Sequence, residues 1–220
     1  MPYTQAIGSL MYTVLGSCPD IAFAVQQLSQ HTHDFSQAHW TAVKHVIHYL
    51  KGTHDAGIVL HHSTSTPLIE IYSNADFTGL ADSHSVGGFL CKYHGCIVTW
   101  VSKKQPQIAL STTKSESMAL IPGAKHALWI SHFLQELSLP LAALIHIHCD
   151  NMQTISNLWD TSHHPCTKHF CVEGHWLQEL IDCGDTIITY VKSTDNVADI
   201  LTKALLLAQH KFLFYKLGML

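Results

Sequence analysis

The amino-acid sequence predicts an α/β protein in which a five-stranded mixed sheet with flanking helices follows a short helical segment. Three observations predict this fold. Up to about residue 60, apolar residues recur at the three- and four-residue spacing of helices, without alternating strands. Beyond it, short runs rich in β-branched residues are interspersed with longer helical stretches, as in an α/β sheet. Hydrophobic residues make up 47% of the 220 residues, which is enough for a sizeable core.

The helical segment, residues 1–60, contains three predicted helices. Two short ones cover residues 4–16 and 19–31. The third begins after Ser36, whose hydroxyl can cap it, and ends at Gly52.

The sheet domain is predicted to cover residues 61–203 and is followed by a C-terminal tail, residues 204–220. Its expected strands are 68–73, 85–93, 96–102, 144–149 and 186–191, and a further strand-like run occupies 57–62. Its expected helices are 111–137, 151–159, 167–182 and 196–203, with Pro122 as a kink or break in the first. In the tail, the apolar residues Phe212, Leu213, Tyr215 and Leu217 have spacings suited to a helix that packs on another part of the protein.

Composition narrows the class of protein. The formal charge of −4 and the pI near 6.5 exclude a strongly basic protein that holds nucleic acid by bulk electrostatics. The chain lacks a run of about 18 apolar residues, so we expect no membrane-spanning helix. The first residues do not resemble a signal peptide, and seven cysteines without a regular framework suggest reduced thiols. These features predict an intracellular protein, cytoplasmic or nuclear.

The basic residues are unusual, because the chain has lysines but no arginine, and it has 19 histidines. Three explanations are open at this point. The first is compositional drift, and the second is a histidine-rich metal-binding protein. The third is mutational decay, since deamination of arginine CGN codons produces codons for cysteine, tryptophan, histidine and glutamine.

Acidic and amide side chains fall at the ends of predicted elements. Asn74 and Asp76 follow the first core strand and share one face of it. Glu116 lies in the first turns of the long helix, Asp150 closes the fourth strand, and Asp199 lies in the last helix. Such a set could converge at one end of the sheet and bind two Mg²⁺ ions for phosphoryl transfer. The spacing alone does not distinguish this from carboxylates scattered over a surface.

Several stretches of the sequence together resemble the C-terminal part of copia-type retrotransposon Pol polyproteins. They are PYTQAIGSLMY, PDIAFAV, HWTAVKHVIHYLKGT, VTWVSKKQPQIALSTTKSESMAL, IHCDNMQTI, TKHF and ADILTK, in the order that the family has them. The resemblance implies that residues 1–60 correspond to the helical tail of the reverse transcriptase and residues 61–203 to an RNase H-like domain. It also implies an endonuclease that cleaves RNA in RNA–DNA hybrids with two Mg²⁺ ions, next to the reverse transcriptase portion of the same polyprotein.

The resemblance assigns the site residues. The family reads S-D-x-D where residues 73–76 read Ser-Asn-Ala-Asp, so Asn74 replaces the first metal-binding aspartate. Glu116, Asp150 and Asp199 match the other three catalytic carboxylates. Asn74 supplies one neutral carbonyl and an N–H₂ donor where a bridging anion is needed, so we expect severely weakened metal binding and catalysis. Asp76, a further candidate ligand, lies roughly 6.6 Å along the strand from residue 74, too far to substitute.

Substrate contacts are predicted nearby. Lys103 and Lys104, after the third strand, are candidates for contacts with backbone phosphates, although a solvated turn explains them equally well. Asn151, directly after Asp150, is a further candidate for substrate contact. Trp100 and Trp129 are expected in the core.

Other departures from the family agree with decay, because positions where the family commonly has arginine are Cys18, His45, His48, His84, Cys166 and Gln178. A rival zinc-like arrangement, His163, His164, Cys166, His169, Cys171 and His175, is explained better by ordinary polar residues at a helix start. Three functions stay open: a working nuclease, an inactive retroelement relic, and a recruited interaction or metal-binding domain.

Overall fold

A computed structural model of the protein describes residues 2–61, 68–80, 82–139, 144–159 and 168–220. The helices are α1 (Tyr3–Gly16), α2 (Ala22–Ser29), α3 (Gln37–Gly52), α4 (Thr112–Glu136), α5 (Met152–Trp159), α6 (Lys168–Asp182) and α7 (Leu207–Lys216). The strands are β1 (Ile69–Asp76), β2 (Val86–Tyr93), β3 (Cys96–Lys104), β4 (Ile145–Cys149) and β5 (Thr186–Tyr190). The predicted helix at 196–203 is a 3-10 helix, Val197–Leu201.

The strands form one mixed sheet in the order β3-β2-β1-β4-β5. β1, β2 and β3 pair antiparallel, whereas β1, β4 and β5 pair parallel. The predicted five-stranded mixed sheet with flanking helices is therefore confirmed. β2 and β3 are joined at His94 and Gly95, both with positive φ, as tight hairpins of this kind require.

The strand predicted at 57–62 is wrong for the part of it that the structure describes. Residues 57–61 form no strand of the sheet, and Ile58 makes only an isolated antiparallel bridge with Met219. Two backbone hydrogen bonds also join Gly57 to Leu220. This apolar run pairs with the end of the chain because the backbone N–H and carbonyl groups of the two segments lie side by side and hydrogen-bond to each other.

Side chains alternate between the two faces of the sheet, as strand geometry requires. Ile71 and Ile147 lie in one hydrophobic cluster with Leu120 and Ala124 of α4. On the other face, Leu90 joins a second cluster that contains residues of the N-terminal helices and of the tail. Its members include Tyr3, Val25, Val43, Ile200, Leu213 and Leu217.

The C-terminal tail packs on this second cluster through α7. Leu213 and Leu217 are fully buried, whereas Phe212 and Tyr215 are largely exposed. The helical segment, the sheet and the tail thus share one hydrophobic cluster. The division at residues 60 and 203 stays a prediction.

Helix α4 continues through Pro122, so of the predicted kink or break the break is wrong, and the kink stays a prediction. Pro122 lies on the exposed side of the helix, where a carbonyl deprived of its N–H partner can bond to water. Gly123 faces the sheet, and a Cβ atom at this position would lie 3.0 Å from Ile71 Cγ2 and 3.2 Å from Phe89 Cβ. A larger residue at position 123 would therefore have to displace the side chains of Ile71 and Phe89.

Candidate functional site

A group of acidic and amide side chains lies at the carboxyl ends of β1 and β4, between the start of α4 and the Val197–Leu201 helix. Asn74 and Asp199 are in direct contact, and Glu116 and Asp150 lie beside each other. The structure thus brings together the four residues that the resemblance assigns to catalysis.

Gly88 allows the Val197–Leu201 helix to reach this end of the sheet. It lies opposite Asn74 on the neighbouring strand. A Cβ atom at position 88 would lie 2.8 Å from Leu201 Cβ and 3.0 Å from Thr202 Cγ2. Only glycine leaves room for the helix and therefore for Asp199 at the site.

Asn196 fixes the same helix to β1. Its Nδ2 donates to the Ser73 carbonyl oxygen at 2.9 Å, and its Oδ1 accepts from the Ala198 N–H at 3.1 Å. The second bond caps the start of the helix. Asn196 is fully buried, so its hydrogen bonds set the position of Asp199 relative to Asn74.

The start of α4 is held in a similar way. Ser111 caps it by accepting a hydrogen bond from the Lys114 N–H. Gln105, at the end of β3, donates to the Ser115 carbonyl oxygen at 2.8 Å. These contacts hold the first turns of α4 against the sheet, with Glu116 on the buried side.

The amide of Asn74 is directed at a carboxylate. Its Nδ2 donates to Asp199 Oδ1 at 2.5 Å and to Thr202 Oγ1 at 2.6 Å. The other oxygen of Asp199, Oδ2, pairs with Lys203 Nζ at 2.8 Å. Burial raises the pKa of Asp199, and Lys203 acts against this rise. Both oxygens of Asp199 therefore have a donor from the protein.

Glu116 and Asp150 have a different environment. Their oxygen atoms and the Cys149 sulfur lie within 4.8 Å of one another. Glu116 Oε2 is buried and has no hydrogen-bond donor among the described residues. Burial, and then the charges of Asp150 and Asp199, raise the pKa of Glu116 to about 8, although the Ala75 N–H and Lys203 oppose the rise.

A hard divalent cation fits the half of the site that Glu116 and Asp150 form. The orphaned Glu116 oxygen and the adjacent Asp150 carboxylate are hard donors of the kind that Mg²⁺ prefers. Burial raises the pKa of the Cys149 thiol to about 12, so this third group is a poor ligand near neutral pH. The Asn74–Asp199 half does not fit a cation, because an N–H donor and an ammonium group already bind both carboxylate oxygens.

Asp76 lies at the border of the cluster. It is partly exposed, and its carboxylate occupies the space that a side chain on Gly79 would need. Burial raises the pKa of Asp76, and Lys203 lowers it. The charge of Asp76 in turn contributes to the raised pKa of Asp199.

The predicted substrate residues differ in whether their side chains already contact other groups of the protein. Lys103 is exposed on β3, at the same end of the sheet as the cluster. Lys104 forms an ion pair with Asp82, and this contact lowers the pKa of Asp82 to about 2. Asn151 Oδ1 accepts from the Thr154 N–H at 3.0 Å and so caps α5.

The two tryptophans have different environments. Trp100 is partly buried and donates from Nε1 to the Val14 carbonyl oxygen at 2.9 Å. The core prediction is wrong for Trp129, which is 59% exposed and stacks on Phe133 one turn along α4. The rings of Trp129 and Phe133 are both exposed.

Four residues that position the site were missed in the sequence: Gln105, Asn196, Thr202 and Lys203. Two of them had a detectable signal, because Thr202 and Lys203 follow Asp199 by three and four residues, a spacing that brings side chains together in a helical turn. Gln105 and Asn196 act through long-range contacts that no local pattern reveals.

The rival histidine and cysteine run at 163–166 lies outside the described residues. None of the described helices combines the length and the apolar character that are needed to cross a membrane.

Comparison with known proteins identifies relatives along most of the chain. No protein-family model matches. The chain is 36% identical over 204 residues, 92% of its length, to the retrovirus-related Pol polyprotein from transposon TNT 1-94 of Nicotiana tabacum. It is 32% identical over the same share to the Pol polyprotein from transposon RE2 of Arabidopsis thaliana. These matches cover 15% and 14% of the two polyproteins, so the chain spans about one seventh of their length. A secreted RxLR effector protein, number 161 of Plasmopara viticola, is 39% identical over 132 residues, which are 60% of this chain and 92% of that protein.

Solved structures are more distant. The N-terminal RNase H domain of Rv2228c from Mycobacterium tuberculosis is 14% identical, with a TM-score of 0.46 over 62% of this chain and 91% of that one. LC11-RNase H1, solved in complex with an RNA/DNA hybrid, is 12% identical, with a TM-score of 0.45 over 61% of this chain and 93% of that one. At these scores the likenesses are weak.

Proposed function

Since the chain belongs to the copia-type retrotransposon Pol polyproteins, we propose that residues 61–203 are an RNase H-like domain descended from an endonuclease of RNA–DNA hybrids. We propose further that this copy is catalytically impaired. In this proposal, residues 1–60 are the helical tail of the reverse transcriptase. The rest of the reverse transcriptase is the partner of the RNase H-like domain in the same polyprotein. The tail at 204–220 belongs with these helices, because α7 buries Leu213 and Leu217 in the cluster that they share.

One observation carries the proposal of impairment: Asn74 Nδ2 donates to Asp199 Oδ1 at 2.5 Å. An aspartate at this position would turn two carboxylates towards each other, an arrangement that a cation between them stabilises. The asparagine amide takes the place of that cation by a hydrogen bond. Lys203 neutralises the other oxygen of Asp199.

The second half of the site supports a single divalent cation, held by Glu116 and Asp150. Their oxygens are adjacent, and burial, followed by the negative charges of Asp150 and Asp199, raises the pKa of Glu116. A bound Mg²⁺ would supply Lewis-acid polarisation of a phosphoryl oxygen. A clamp on both the attacking and the leaving oxygen requires two ions, so one half-site is insufficient for efficient hydrolysis.

Substrate binding is weakened as well. Lys103 is the freest of the predicted contacts, because Lys104 pairs with Asp82 and Asn151 caps a helix. The chain has no arginine, the residue that binds phosphates in a bidentate manner. We therefore propose that the protein binds RNA–DNA hybrid weakly, mainly through lysine.

The test is cleavage of an end-labelled RNA–DNA hybrid in Mg²⁺ and in Mn²⁺ by the full chain, its Asn74→Asp variant and the double variant Asn74→Asp/Glu116→Gln. We expect Asn74→Asp to cleave at least about 100-fold faster than the unchanged chain, and the double variant not to cleave. The double variant controls for contaminating nuclease. Equal activity of the unchanged chain and Asn74→Asp would refute impairment at Asn74, and silence of all three folded proteins would favour the inactive relic.

A further inference from the structure

Lys203 places a positive charge at the carboxylate cluster. It follows Asp199 by four residues, and its Nζ lies 2.8 Å from Asp199 Oδ2. Its charge also opposes the rise in pKa that burial causes at Asp76 and at Glu116. One ammonium group therefore acts on carboxylates of β1, of α4 and of the Val197–Leu201 helix.

The cluster remains short of positive charge in spite of Lys203. Glu116 is 7% exposed, and its Oε2 has no hydrogen-bond donor within the described part of the chain. Burial, and then the charges of Asp150 and Asp199, keep the pKa of Glu116 raised to about 8 although Lys203 opposes them. Buried acids in this arrangement attract a further cation, because added positive charge relieves their repulsion.

The position of the Lys203 ammonium group can be reached from solvent. The side chain of Lys203 is 39% exposed, whereas that of Asp199 is 5% exposed. Asp76 is partly exposed at the border of the cluster, and its charge contributes to the raised pKa of Asp199. The carboxylates of Asp76 and Asp199 are hard oxygen donors, and one or two such donors are enough for a hydrated Mg²⁺ or Mn²⁺ ion.

Lys203 is the group that closes this position. Asn74 Nδ2 binds Oδ1 of Asp199 and leaves Oδ2 to Lys203. A lysine ammonium group is a compact point charge on a flexible stem. It therefore occupies the place of a small cation beside Oδ2 without adding a second ligand-binding group, and its charge repels a divalent ion.

We propose that Lys203 determines how many divalent cations the cluster of the unchanged chain binds, because its ammonium group occupies the position of a second cation at Asp199 and Asp76. With Lys203 in place, the cluster binds one cation at Glu116 and Asp150, and for this first cation the inference rests on the proposed function. Without the charge of Lys203, the cluster binds two.

The test is the number of Mn²⁺ ions that the folded full chain binds at constant ionic strength, measured from the electron paramagnetic resonance signal of free Mn²⁺. Asn74 is kept in every protein, so that no carboxylate is added at position 74. We expect one ion in the unchanged chain and a second ion in Lys203→Gln, bound at least about tenfold more tightly than any second ion of the unchanged chain.

Two single variants are the controls for charge. Lys211→Gln removes the same charge from an exposed position on α7 and should bind Mn²⁺ as the unchanged chain does. Lys203→Arg keeps the charge and should also bind one ion. Lys203→Met, which keeps an aliphatic stem, should gain the second ion as Lys203→Gln does, and it decides alone if Lys203→Gln does not fold.

Two double variants locate the ions. Lys203→Gln/Asp76→Asn should lose the second ion and keep the first. Lys203→Gln/Glu116→Gln should lose the first ion and keep the second.

Equal Mn²⁺ binding by the unchanged chain, Lys203→Gln and Lys203→Met would overturn the proposal. A second ion that Lys203→Gln/Asp76→Asn binds as tightly as Lys203→Gln would overturn its assignment to Asp76 and Asp199. Absence of the first ion from the unchanged chain would instead contradict the proposed cation at Glu116 and Asp150, and the gain of an ion by Lys203→Gln would still support the role of Lys203.

Discussion

Replacing Asn74 by aspartate should make the stability of this protein depend on divalent cations. In the unchanged chain, Asn74 Nδ2 donates to Asp199 Oδ1 at 2.5 Å and to Thr202 Oγ1 at 2.6 Å. Asn74→Asp keeps the shape of the side chain but replaces this donor by an anionic oxygen. It removes two hydrogen bonds and sets two buried carboxylates against each other.

The expected magnitude follows from these contacts. Two unit charges 4 Å apart interact by about 4 kcal/mol at an effective dielectric constant of about 20. Uptake of a proton or rotation of one carboxylate lowers that cost, while the lost hydrogen bonds add about 1–3 kcal/mol. We therefore expect metal-free Asn74→Asp to be destabilised by about 2–4 kcal/mol at pH 8, which lowers the unfolding midpoint by about 5–15 °C.

The assay is thermal unfolding by circular dichroism at pH 8, in EDTA and in Mg²⁺. A cation that binds only the folded state stabilises it by about 2.7 kcal/mol at a concentration 100 times its Kd. Mg²⁺ should therefore restore most of the stability of Asn74→Asp and stabilise the unchanged chain much less. Asn74→Ala loses the same hydrogen bonds without adding a charge and should not respond to Mg²⁺ more than the unchanged chain does.

The reasoning is refuted if metal-free Asn74→Asp is as stable as the unchanged chain, because the two carboxylates would then not face each other. It is also refuted if Mg²⁺ stabilises both proteins equally. In that case the Asn74–Asp199 half of the site binds a cation despite the amide.

Three further predictions concern the pH dependence and the packing. The pKa of Glu116 is raised in the folded state from 4.5 to about 8. Between these pH values the folded state binds more protons than the unfolded state, so the free energy of unfolding falls as the pH rises. Glu116→Gln should make this fall smaller, which urea unfolding at about pH 5.5 and about pH 8 can measure. Gly88→Ala places a Cβ atom 2.8 Å from Leu201 Cβ and should cost about 1–3 kcal/mol, and an unchanged urea midpoint would contradict this close packing. Leu213→Ala should cost about 2–5 kcal/mol and Phe212→Ala much less, since only Leu213 is buried; equal losses would contradict the packing of α7.

Much of the fold follows from local patterns. The five strands of the sheet and the helices on either side are read from the alternation of side chains and from caps such as Ser36, which forms the predicted cap of α3. The sequence did not reveal which surfaces meet. Residues 57–61 have a strand-like composition, but Ile58 pairs with Met219 near the end of the chain instead of with the sheet. A local pattern cannot predict this pairing, because the partner is more than 150 residues away.

The sequence likewise predicts some features of the site and not others. That Asn74, Glu116, Asp150 and Asp199 belong together follows from the family resemblance, because their spacing alone does not distinguish a site from scattered carboxylates. The direction of the Asn74 amide and the pairing of Lys203 with Asp199 do not follow, because both depend on how the Val197–Leu201 helix is seated over Gly88. The exposure of Trp129 was not predicted for a related reason. Helical spacing indicates which residues share a face of a helix, but it does not show which face packs on the sheet.

The loss of one carboxylate has a consequence for folding that is opposite to its consequence for catalysis. A cluster of buried acids destabilises the folded chain until a cation binds, as the raised pKa of Glu116 indicates for the carboxylates that are left. Asn74 removes one of these charges and adds two hydrogen bonds, so the altered site holds β1 and the Val197–Leu201 helix together without metal. If the proposed impairment holds, the same substitution that weakens cleavage stabilises the fold, as expected where function requires an unfavourable concentration of charge. The architecture around the site would then persist without selection for cleavage.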